Sequence, residues 1–434
     1  MRNRLILGAL AALAILTYLP VLSQPFIADD FVNIWRARDY APPSGWKNLV
    51  NDPVHLYRPI FIFPTYWLDR IFGPWPPAFY ALSILLHVGV TWLVYALGFW
   101  DRIGWRVSAI AAAFFAVQEG HQEAVMWYSA IYELYLALFL LLCLIAWIAW
   151  LRSPSDKPLL QTASLVCFVL ALASKESAVM VIPLLVLPLL FERAWLRRGL
   201  GGLVPFAVLS LAWFGWMFLG GADHQRLGDG SFSLRAPVLI TWLHSFGRLL
   251  WVFGVLSLAT LVLLRDKTRW KLLLLAGLWI SLALLPYCLL TYMTRLPSRQ
   301  TYVASIGLSW IVAAAFLALW DRLSKRHALV VLVGLLVIAA NVGYLWTRKR
   351  AQFRERTVST QALIRLARFA SGPVYVERFP FPLAIAQGAV LLGTGKPPDT
   401  VVWEMADPPS QGLADYRFSL TPVRTPADQT PATR

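Results

Sequence analysis

Two adjacent carboxylates, Asp29 and Asp30, follow directly after the first apolar stretch of the chain. A carboxylate can take a proton from an attacking hydroxyl, and an acid near lipid is costly unless it is used or paired. The pair opens a polar and aromatic segment, residues 24–78, between two hydrophobic stretches. The sequence therefore makes this segment the first candidate for an active site, with an ordinary helix cap at a membrane boundary as the alternative.

Further residues that could bind a phosphate or a sugar lie in short segments between later apolar stretches. Guanidinium groups bind phosphate through two parallel hydrogen bonds, and a buried lysine supplies a point charge. Both His121 and Lys175 could also have a purely structural role. His121 could cap the start of a helix, and Lys175 could extend its side chain to the membrane interface. The candidates are His121, Glu123, Lys175, Arg295, Arg299 and, in the first segment, Arg58.

The composition indicates a polytopic membrane protein. Of the 434 residues, 58% are hydrophobic and 14% are charged, whereas soluble proteins average about 45–50% and about 25%. A net charge of +16 would also suit a nucleic-acid-binding protein, but no soluble module shows a basic patch interleaved with aromatic residues. The three cysteines lie in apolar runs, and they predict neither a disulfide nor a metal site.

Apolar runs near the roughly 20 residues that cross a bilayer predict about eleven spans. The first run resembles a signal peptide but lacks a small-residue cleavage site, so we expect a retained span. No internal repeat of 20–50 residues is visible. The predicted spans are 5–23, 79–99, 107–118, 124–150, 159–173, 178–192, 202–220, 248–264, 271–290, 303–319 and 328–346.

The connecting segments alternate between two kinds. One set carries at least two Lys or Arg in each segment and is predicted to be cytoplasmic; it comprises residues 1–4, 101–106, 152–157, 193–198, 265–271 and 322–326. The other set holds the unusual acids, His121 and the isolated cations; it comprises the first segment and residues 118–123, 174–177, 221–235 and 294–299. This segregation predicts one polar site on the outer face of the cell membrane, with the amino terminus inside.

The chain outside the spans is expected to form two further units. Prolines and interfacial aromatic residues in the first outer segment predict short amphipathic helices on the membrane surface, and residues 233–247 predict another. After the transmembrane part, residues 1–346, the segment 347–421 predicts a small extracytoplasmic α/β appendage. Residues 422–434, rich in Thr, Pro and Ala, predict a disordered tail.

Five short motifs occur in an order found in one family of membrane enzymes. They are Asp29-Asp30, Tyr57-Arg58-Pro59, residues 121–127 (HQEAVMW), Ser174-Lys175-Glu176 and residues 299–302 (RQTY). Over most of residues 24–310 the chain resembles GT-C integral-membrane glycosyltransferases. The resemblance is strongest to protein O-mannosyltransferases of the transmembrane and TPR-containing branch and their bacterial relatives. It implies an all-α polytopic fold with a large first outer loop.

The resemblance implies inverting transfer of a sugar from a polyprenyl-phosphate-linked donor to a hydroxyl acceptor on a glycan, lipid or protein. Such a displacement needs a carboxylate base and cations for the departing phosphate. No cofactor is expected, and a divalent cation is the weaker alternative. The implied roles are base for Asp29, orientation or activation of that base for Asp30, sugar or acceptor binding for His121, Glu123 and Trp127, and lipid-phosphate binding for Lys175, Arg299, Arg295 and Arg58.

The chain also departs from the family pattern. Where the family often has Gly-Arg and an Asp, this sequence has Ala130-Ile131 and Glu133, and it lacks TPR repeats. A transporter or lipid-linked sugar flippase is the competing interpretation, because it too would use intramembrane charges and broken helices. The clustering of polar residues on one face favours the enzyme, and a structural scaffold would leave that clustering unexplained.

Overall fold

A computed structural model of the chain describes residues 2–52, 54–153, 157–219, 230–376 and 379–403. The predicted disordered tail lies outside these ranges, as do residues 404–421 of the predicted appendage and most of the predicted outer segment 221–235. The helices, in chain order, are α1 (Arg2–Tyr18), α2 (Asp29–Tyr40), α3 (Trp46–Val50), α4 (Pro59–Phe72), α5 (Pro76–Ala96), α6 (Trp105–Val117), α7 (Gln122–Met126), α8 (Tyr132–Arg152), α9 (Pro158–Leu172), α10 (Val181–Phe191), α11 (Leu196–Leu219), α12 (Val238–Leu250), α13 (Phe253–Leu263), α14 (Trp270–Leu284), α15 (Ser305–Arg322), α16 (His327–Tyr344), α17 (Arg350–Glu355), α18 (Val358–Phe369) and α19 (Leu383–Thr394).

The prediction of an all-α polytopic membrane fold is confirmed. Within the described ranges, seven helical segments are long and apolar enough to cross a membrane, and α12 with α13 makes an eighth if that pair is one span bent by 74°. The remaining predicted spans coincide with shorter apolar helices, namely α6, α9 and the helical segment Glu176–Phe191. The predicted span 124–150 begins too early, because residues before α8 form α7 and a short 3-10 turn.

Buried aromatic side chains hold the helices together. α8 and α15 are the most enclosed of the spans, and their fully buried tryptophans are Trp147 and Trp310. Trp279 of α14 lies edge-on to Trp310 at a centroid distance of 5.2 Å, and its indole N–H donates to the carbonyl of Val303 at 2.8 Å. These contacts fix α14 and α15 against each other directly beside the connecting segment 285–304.

Polar side-chain contacts join the helices within residues 24–78, the segment predicted to be the first outer loop. Arg38 of α2 makes two hydrogen bonds, of 2.6 and 2.8 Å, to the carboxylate of Asp69 on α4. Between these helices Asp52 accepts hydrogen bonds from the hydroxyl of Tyr40 at 2.8 Å and from the backbone N–H of His55 at 2.8 Å. The loop therefore presents α2 as a fixed support and not as a mobile segment.

The carboxyl-terminal appendage packs against the same helix. Beyond α16 the chain continues through α17 and α18 to two short parallel strands, β1 (Val374–Val376) and β2 (Val401–Trp403), which flank α19 in sequence. A Cβ atom on Gly388 of α19 would lie 3.2 Å from the carbonyl carbon of Phe31 on α2. A larger residue at this position would require the two backbones to move apart by a few tenths of an ångström.

Candidate active site

Polar loops that are far apart in sequence meet at one end of the helix bundle. Three charge pairs join them: Arg58 with Glu176, Lys175 with Glu133, and Arg299 with Glu123. Five of these six residues lie in segments that the charge pattern assigned to the outer face, and the sixth, Glu133, lies at the start of α8. The structure therefore brings together the first loop, the segments after α6 and α9, and the segment before α15.

Asp30 anchors the start of α2. Its side chain is fully buried, and one carboxylate oxygen accepts the backbone N–H of Ser129 at 2.7 Å and the hydroxyl of Ser129 at 2.5 Å. The other oxygen accepts the backbone N–H of Ile27 at 2.9 Å and contacts the hydroxyl of Tyr80 at 3.4 Å. Burial raises the pKa of Asp30 to about 7, against the lowering effect of the bonds from Ser129 and Ile27. With both oxygens occupied, Asp30 is suited to holding the loop.

Asp29 has a different environment, although it is the neighbouring residue. It is the first residue of α2, its side chain is exposed, and it follows Ala28, whose φ of 40° is strained for a residue with a Cβ atom. The surrounding protein still raises the pKa of Asp29 by desolvation, while the charge of Arg299 lowers it. The carboxylate of Asp29 is therefore accessible to solvent, although many protein atoms surround it.

A cavity of about 160 Å³, here named the cationic cavity, lies beside Arg299. Its polar wall contains Arg58, Lys175 and Arg299 together with Glu176. Its apolar wall is formed by Val179, Phe214, Met217, Phe232, Leu289 and Leu290. Cations facing an apolar wall suit a ligand that combines a phosphate with a hydrocarbon chain.

Tyrosine rings hold two of these cations in place. The guanidinium carbon of Arg58 lies 4.9 Å from the ring centre of Tyr132, and Lys175 Nζ lies 4.9 Å from the same ring and 4.5 Å from that of Tyr287. Arg58 also makes two hydrogen bonds of 3.0 Å to Glu176. Burial lowers the pKa of Arg58, but Glu176 and Tyr132 outweigh this and leave it above its usual value.

Lys175 is buried and paired with an acid of the adjacent span. Its Nζ donates to Glu133 Oε1 and, at 3.3 Å, to the hydroxyl of Tyr287, which itself donates to Glu133 Oε2 at 2.9 Å. Burial lowers the pKa of Lys175 to about 8, and Glu133 opposes this change. Lys175 is therefore mostly protonated at neutral pH, but it loses its proton at a lower pH than an ordinary lysine does.

Arg299 is the most weakly paired of the three cations. Its Nη1 lies 3.5 Å from Glu123 Oε2, which also accepts the backbone N–H of Arg299 at 3.3 Å. Its guanidinium carbon stacks 5.1 Å from the ring centre of Trp127. Glu123 and Trp127 therefore contact a lining residue of the cationic cavity, and their predicted roles in sugar or acceptor binding stay predictions.

The structure does not bring His121 and Arg295 into the cationic cavity. His121 is buried among the rings of Phe115 and Tyr302, with Nε2 2.7 Å from the hydroxyl of Ser305. Burial lowers the pKa of His121 well below its usual value, so the imidazole is neutral. Arg295 lines a separate open recess with His244. In the described part of the chain, no three His, Cys, Asp or Glu side chains are grouped to hold a metal ion.

Tyr132, Glu133 and Tyr287 belong to the site but were not assigned a role from the sequence. Glu133 could have been recognised in the sequence, because an acid within an apolar run is energetically unfavourable unless it is paired. It lies one residue into α8 and is 1% exposed. The tyrosines lie in segments already rich in aromatic residues, so nothing in the sequence distinguishes them from core side chains.

The helices and their shared polar end define an all-α polytopic membrane protein. Neither known protein families nor curated proteins match the chain. Among solved structures, the chain is similar to ArnT from Cupriavidus metallidurans bound to undecaprenyl phosphate, with 14% identity and a TM-score of 0.54. The match covers 93% of this chain and 86% of that chain. The similarity is one of fold alone, and it supports the GT-C fold that the five sequence motifs implied.

Proposed function

We propose that the protein is a membrane glycosyltransferase that moves a sugar from a polyprenyl-phosphate-linked donor to a hydroxyl acceptor at the outer face of the cell membrane. The observation that carries this proposal is the contrast between two neighbouring carboxylates. Asp30 is buried with both oxygens hydrogen-bonded, whereas Asp29 is exposed and interacts with the charge of Arg299. Asp30 thus holds the start of α2 in place, while the carboxylate of Asp29 can accept a proton near the cations that would bind the phosphate.

The cationic cavity supports the choice of donor. Arg58, Lys175 and Arg299 would surround the phosphate, and the apolar wall would accompany the first part of the polyprenyl chain. The solved structure of similar fold is that of a protein bound to undecaprenyl phosphate. A hexosyl donor of the mannosyl type is the expectation that follows from the family resemblance.

The reaction is a single displacement in this proposal. The acceptor oxygen forms a bond to the anomeric carbon as the bond from that carbon to the phosphate oxygen breaks, so the configuration inverts. Asp29 takes the proton of the acceptor hydroxyl. The lipid phosphate leaves with the bonding electron pair, and its charge is stabilised by the three cations. A raised pKa makes Asp29 a stronger base than an ordinary aspartate.

The test is a turnover assay with the purified full chain in nanodiscs. The donor is a radiolabelled polyprenyl-phosphate hexose, and the acceptor is a glycolipid extract of the cell envelope. We expect release of free polyprenyl phosphate that depends on the acceptor, together with label in the glycolipid. A flippase, which the bend between α12 and α13 would also suit, moves the intact donor across a vesicle membrane. Movement without cleavage would contradict the proposal.

A further inference from the structure

The exposed side of α12 changes from apolar to basic along its length. In its first half the exposed side chains are Leu239, Ile240 and Leu243. Further along the helix, His244 and Arg248 are exposed. Because residues four apart lie one above the other on a helix, Ile240, His244 and Arg248 form one continuous stripe. A phospholipid has the same order of chemistry, with hydrocarbon followed by an anionic head group.

The basic end of this stripe lines an open recess of about 750 Å³, here named the basic recess. Arg248 of α12 and Arg295, from the segment after α14, both line it. Their positive charges are close enough to repel each other. No acid is among the described residues that line the recess; the others are His244, Gly247, Trp251 and Thr294. Two arginines that share a recess are matched by one anionic group, and guanidinium binds phosphate through two parallel hydrogen bonds.

The two arginines of the basic recess differ in their partners. Arg248 Nη1 donates to the carbonyl of Leu296 at 2.7 Å. The charges of Glu119 and Glu123 also attract Arg248, although neither acid lines the recess. Arg295 is exposed, and no acid or carbonyl within the described ranges pairs with it. Arg295 therefore has the guanidinium group that is available to an incoming anion.

The surroundings of the basic recess favour a lipid over a soluble anion. The apolar half of the α12 stripe leads into the recess, and Trp251, which is 73% exposed, lines it at the break before α13. Exposed tryptophan and leucine side chains beside a membrane helix are typical of the boundary between head groups and hydrocarbon. A cluster of cations at such a boundary binds anionic head groups. The phosphate would lie between Arg248 and Arg295, and the acyl chains would contact Leu239 and Leu243.

α12 is also bonded to the segment that leads to Arg299. The contacts join Thr241 Oγ1 to the carbonyl of Met293 at 3.2 Å, His244 Nδ1 to the carbonyl of Thr294 at 3.1 Å, Ser245 Oγ to the backbone N–H of Leu296 at 3.1 Å and Arg248 Nη1 to the carbonyl of Leu296 at 2.7 Å. Arg299 follows shortly after, in the 3-10 turn Ser298–Thr301. A molecule that holds α12 in place therefore also holds the segment that positions Arg299.

We propose that the basic recess binds the phosphate of an anionic phospholipid from the surrounding leaflet, and that the bound lipid holds α12 and residues 293–296 in place. The lipid is not a substrate in this inference, since it lies on α12 and not in the cationic cavity. Through residues 293–296 it would favour the position of Arg299 that binds the donor phosphate. Binding of the lipid is independent of the proposed glycosyltransferase function, whereas its effect on donor use rests on that function.

Binding is tested with phosphatidylglycerol diluted into phosphatidylcholine nanodiscs, and native mass spectrometry counts the lipid that the protein retains. Arg295→Gln removes the unpaired guanidinium and leaves the bond from Arg248 to Leu296 in place. The matched control is Arg235→Gln, at an exposed arginine just before α12 that does not line the recess. The wild type and the control should retain phosphatidylglycerol above its share of the bilayer, and Arg295→Gln should bind it about 10-fold more weakly, which corresponds to about 1.4 kcal/mol. Equal retention by Arg295→Gln and the wild type would overturn the site.

Hydrogen exchange of residues 293–301 distinguishes a lipid from a free anion. Phosphatidylglycerol should slow exchange in this segment of the wild type but not of Arg295→Gln. Inorganic phosphate, added at millimolar concentration to phosphatidylcholine nanodiscs, should leave the exchange unchanged because it lacks the hydrocarbon that contacts α12. Equal protection by inorganic phosphate would show that the recess binds free anions and would overturn the assignment of a lipid.

Turnover of labelled donor in the two bilayers tests the effect on Arg299. Phosphatidylglycerol should raise kcat/KM for the donor by about 5-fold or more in the wild type and in Arg235→Gln, a typical size for coupling between two sites. Arg295→Gln should stay at the value measured in phosphatidylcholine alone. If the wild type cleaves donor equally well in both bilayers, the link to Arg299 is wrong and the proposed function stands. If phosphatidylglycerol protects residues 293–301 but the donor is never cleaved, the proposed function fails and the lipid site stands.

Discussion

Ser129 donates two hydrogen bonds to one carboxylate oxygen of Asp30, from its backbone N–H at 2.7 Å and from its hydroxyl at 2.5 Å. This contact ties the start of α2 to the segment between α7 and α8. Asp29, the next residue toward the amino terminus, therefore has a fixed position relative to the helices that carry Tyr132 and Glu133. Replacement of the two neighbouring aspartates should have unequal effects for this reason.

The first prediction concerns the base. Asp29→Asn keeps the size of the side chain but removes its ability to accept the acceptor proton, so kcat should fall by roughly 10²–10⁴-fold. Because Asp29 is exposed and does not anchor the fold, the variant should unfold at the wild-type temperature and still bind the donor. Single-turnover release of polyprenyl phosphate measures the effect. Wild-type turnover in Asp29→Asn would remove this residue from the chemistry.

The second prediction concerns the anchor. Ser129→Ala removes the hydroxyl that donates to Asp30, and a hydrogen bond to a charged group contributes about 1.5–3 kcal/mol to stability. We expect a lower unfolding temperature and a decrease in kcat much smaller than that of Asp29→Asn. Asp30→Asn should behave similarly. If Asp30→Asn instead abolishes turnover at unchanged stability while Asp29→Asn is mild, Asp30 is the base.

The third prediction concerns the dependence of activity on pH. Asp29 acts when ionised, so activity should rise as pH increases through its pKa, which desolvation by the surrounding protein raises and the charge of Arg299 lowers. Removal of that charge in Arg299→Gln should move this acid limb to higher pH, and loss of a phosphate ligand should reduce kcat/KM by about 10²-fold. Arg365→Gln, an exposed arginine on α18, is the control and should leave the profile unchanged. If the acid limb of the Arg299→Gln profile did not move, the charge of Arg299 would not control the pKa of the catalytic base.

The fourth prediction concerns Lys175 and its acid. Donor binding needs the cationic form, so affinity should decline as pH rises through about 8, the pKa to which burial lowers Lys175. Glu133→Gln removes the partner that keeps this pKa from falling further, so the decline should begin at lower pH. Loss of one partner of a buried pair should also cost about 3–5 kcal/mol of stability. Binding of radiolabelled donor across pH measures the first effect, and thermal unfolding measures the second.

The last prediction concerns orientation in the membrane. The distribution of Lys and Arg predicts that the amino terminus is cytoplasmic and that the appendage is outside. A phosphatase reporter fused to the carboxyl terminus should therefore be active only after export. A second fusion at Lys325, in a predicted cytoplasmic segment, should be inactive. If the fusion at Lys325 were active and the carboxyl-terminal fusion inactive, the candidate active site would lie on the cytoplasmic face.

The fold and the grouping of loops could be predicted because both depend on patterns of single residues. Apolar runs predict membrane spans because polar groups are energetically unfavourable in lipid. The alternating content of Lys and Arg predicts on which face of the membrane each connecting segment lies. The five motifs then located Asp29, Lys175 and Arg299, which the structure brings to one end of the bundle. The start of α8 could not be read in the same way, because the apolar run from residue 124 first forms the end of α7 and a short 3-10 turn, and α8 begins only at Tyr132.

The partners of these residues could not be predicted, since they depend on distances across the bundle. His121 and Lys175 look alike in sequence, because each lies in a short polar segment that follows an apolar run. In the structure His121 faces an aromatic cluster, and Lys175 faces Glu133 and two tyrosines. His121 ends a short 3-10 turn and Lys175 has an extended backbone, so tertiary packing and not a local pattern decides between these environments.

The contact of Gly388 with the backbone of Phe31 joins two elements that lie far apart in the sequence. During synthesis, α2 leaves the ribosome and reaches the membrane long before α19 exists. Until the chain has been made to Thr394, the face of α2 that later receives α19 has no permanent cover. We therefore expect a chain truncated before α19 to leave this face of α2 uncovered.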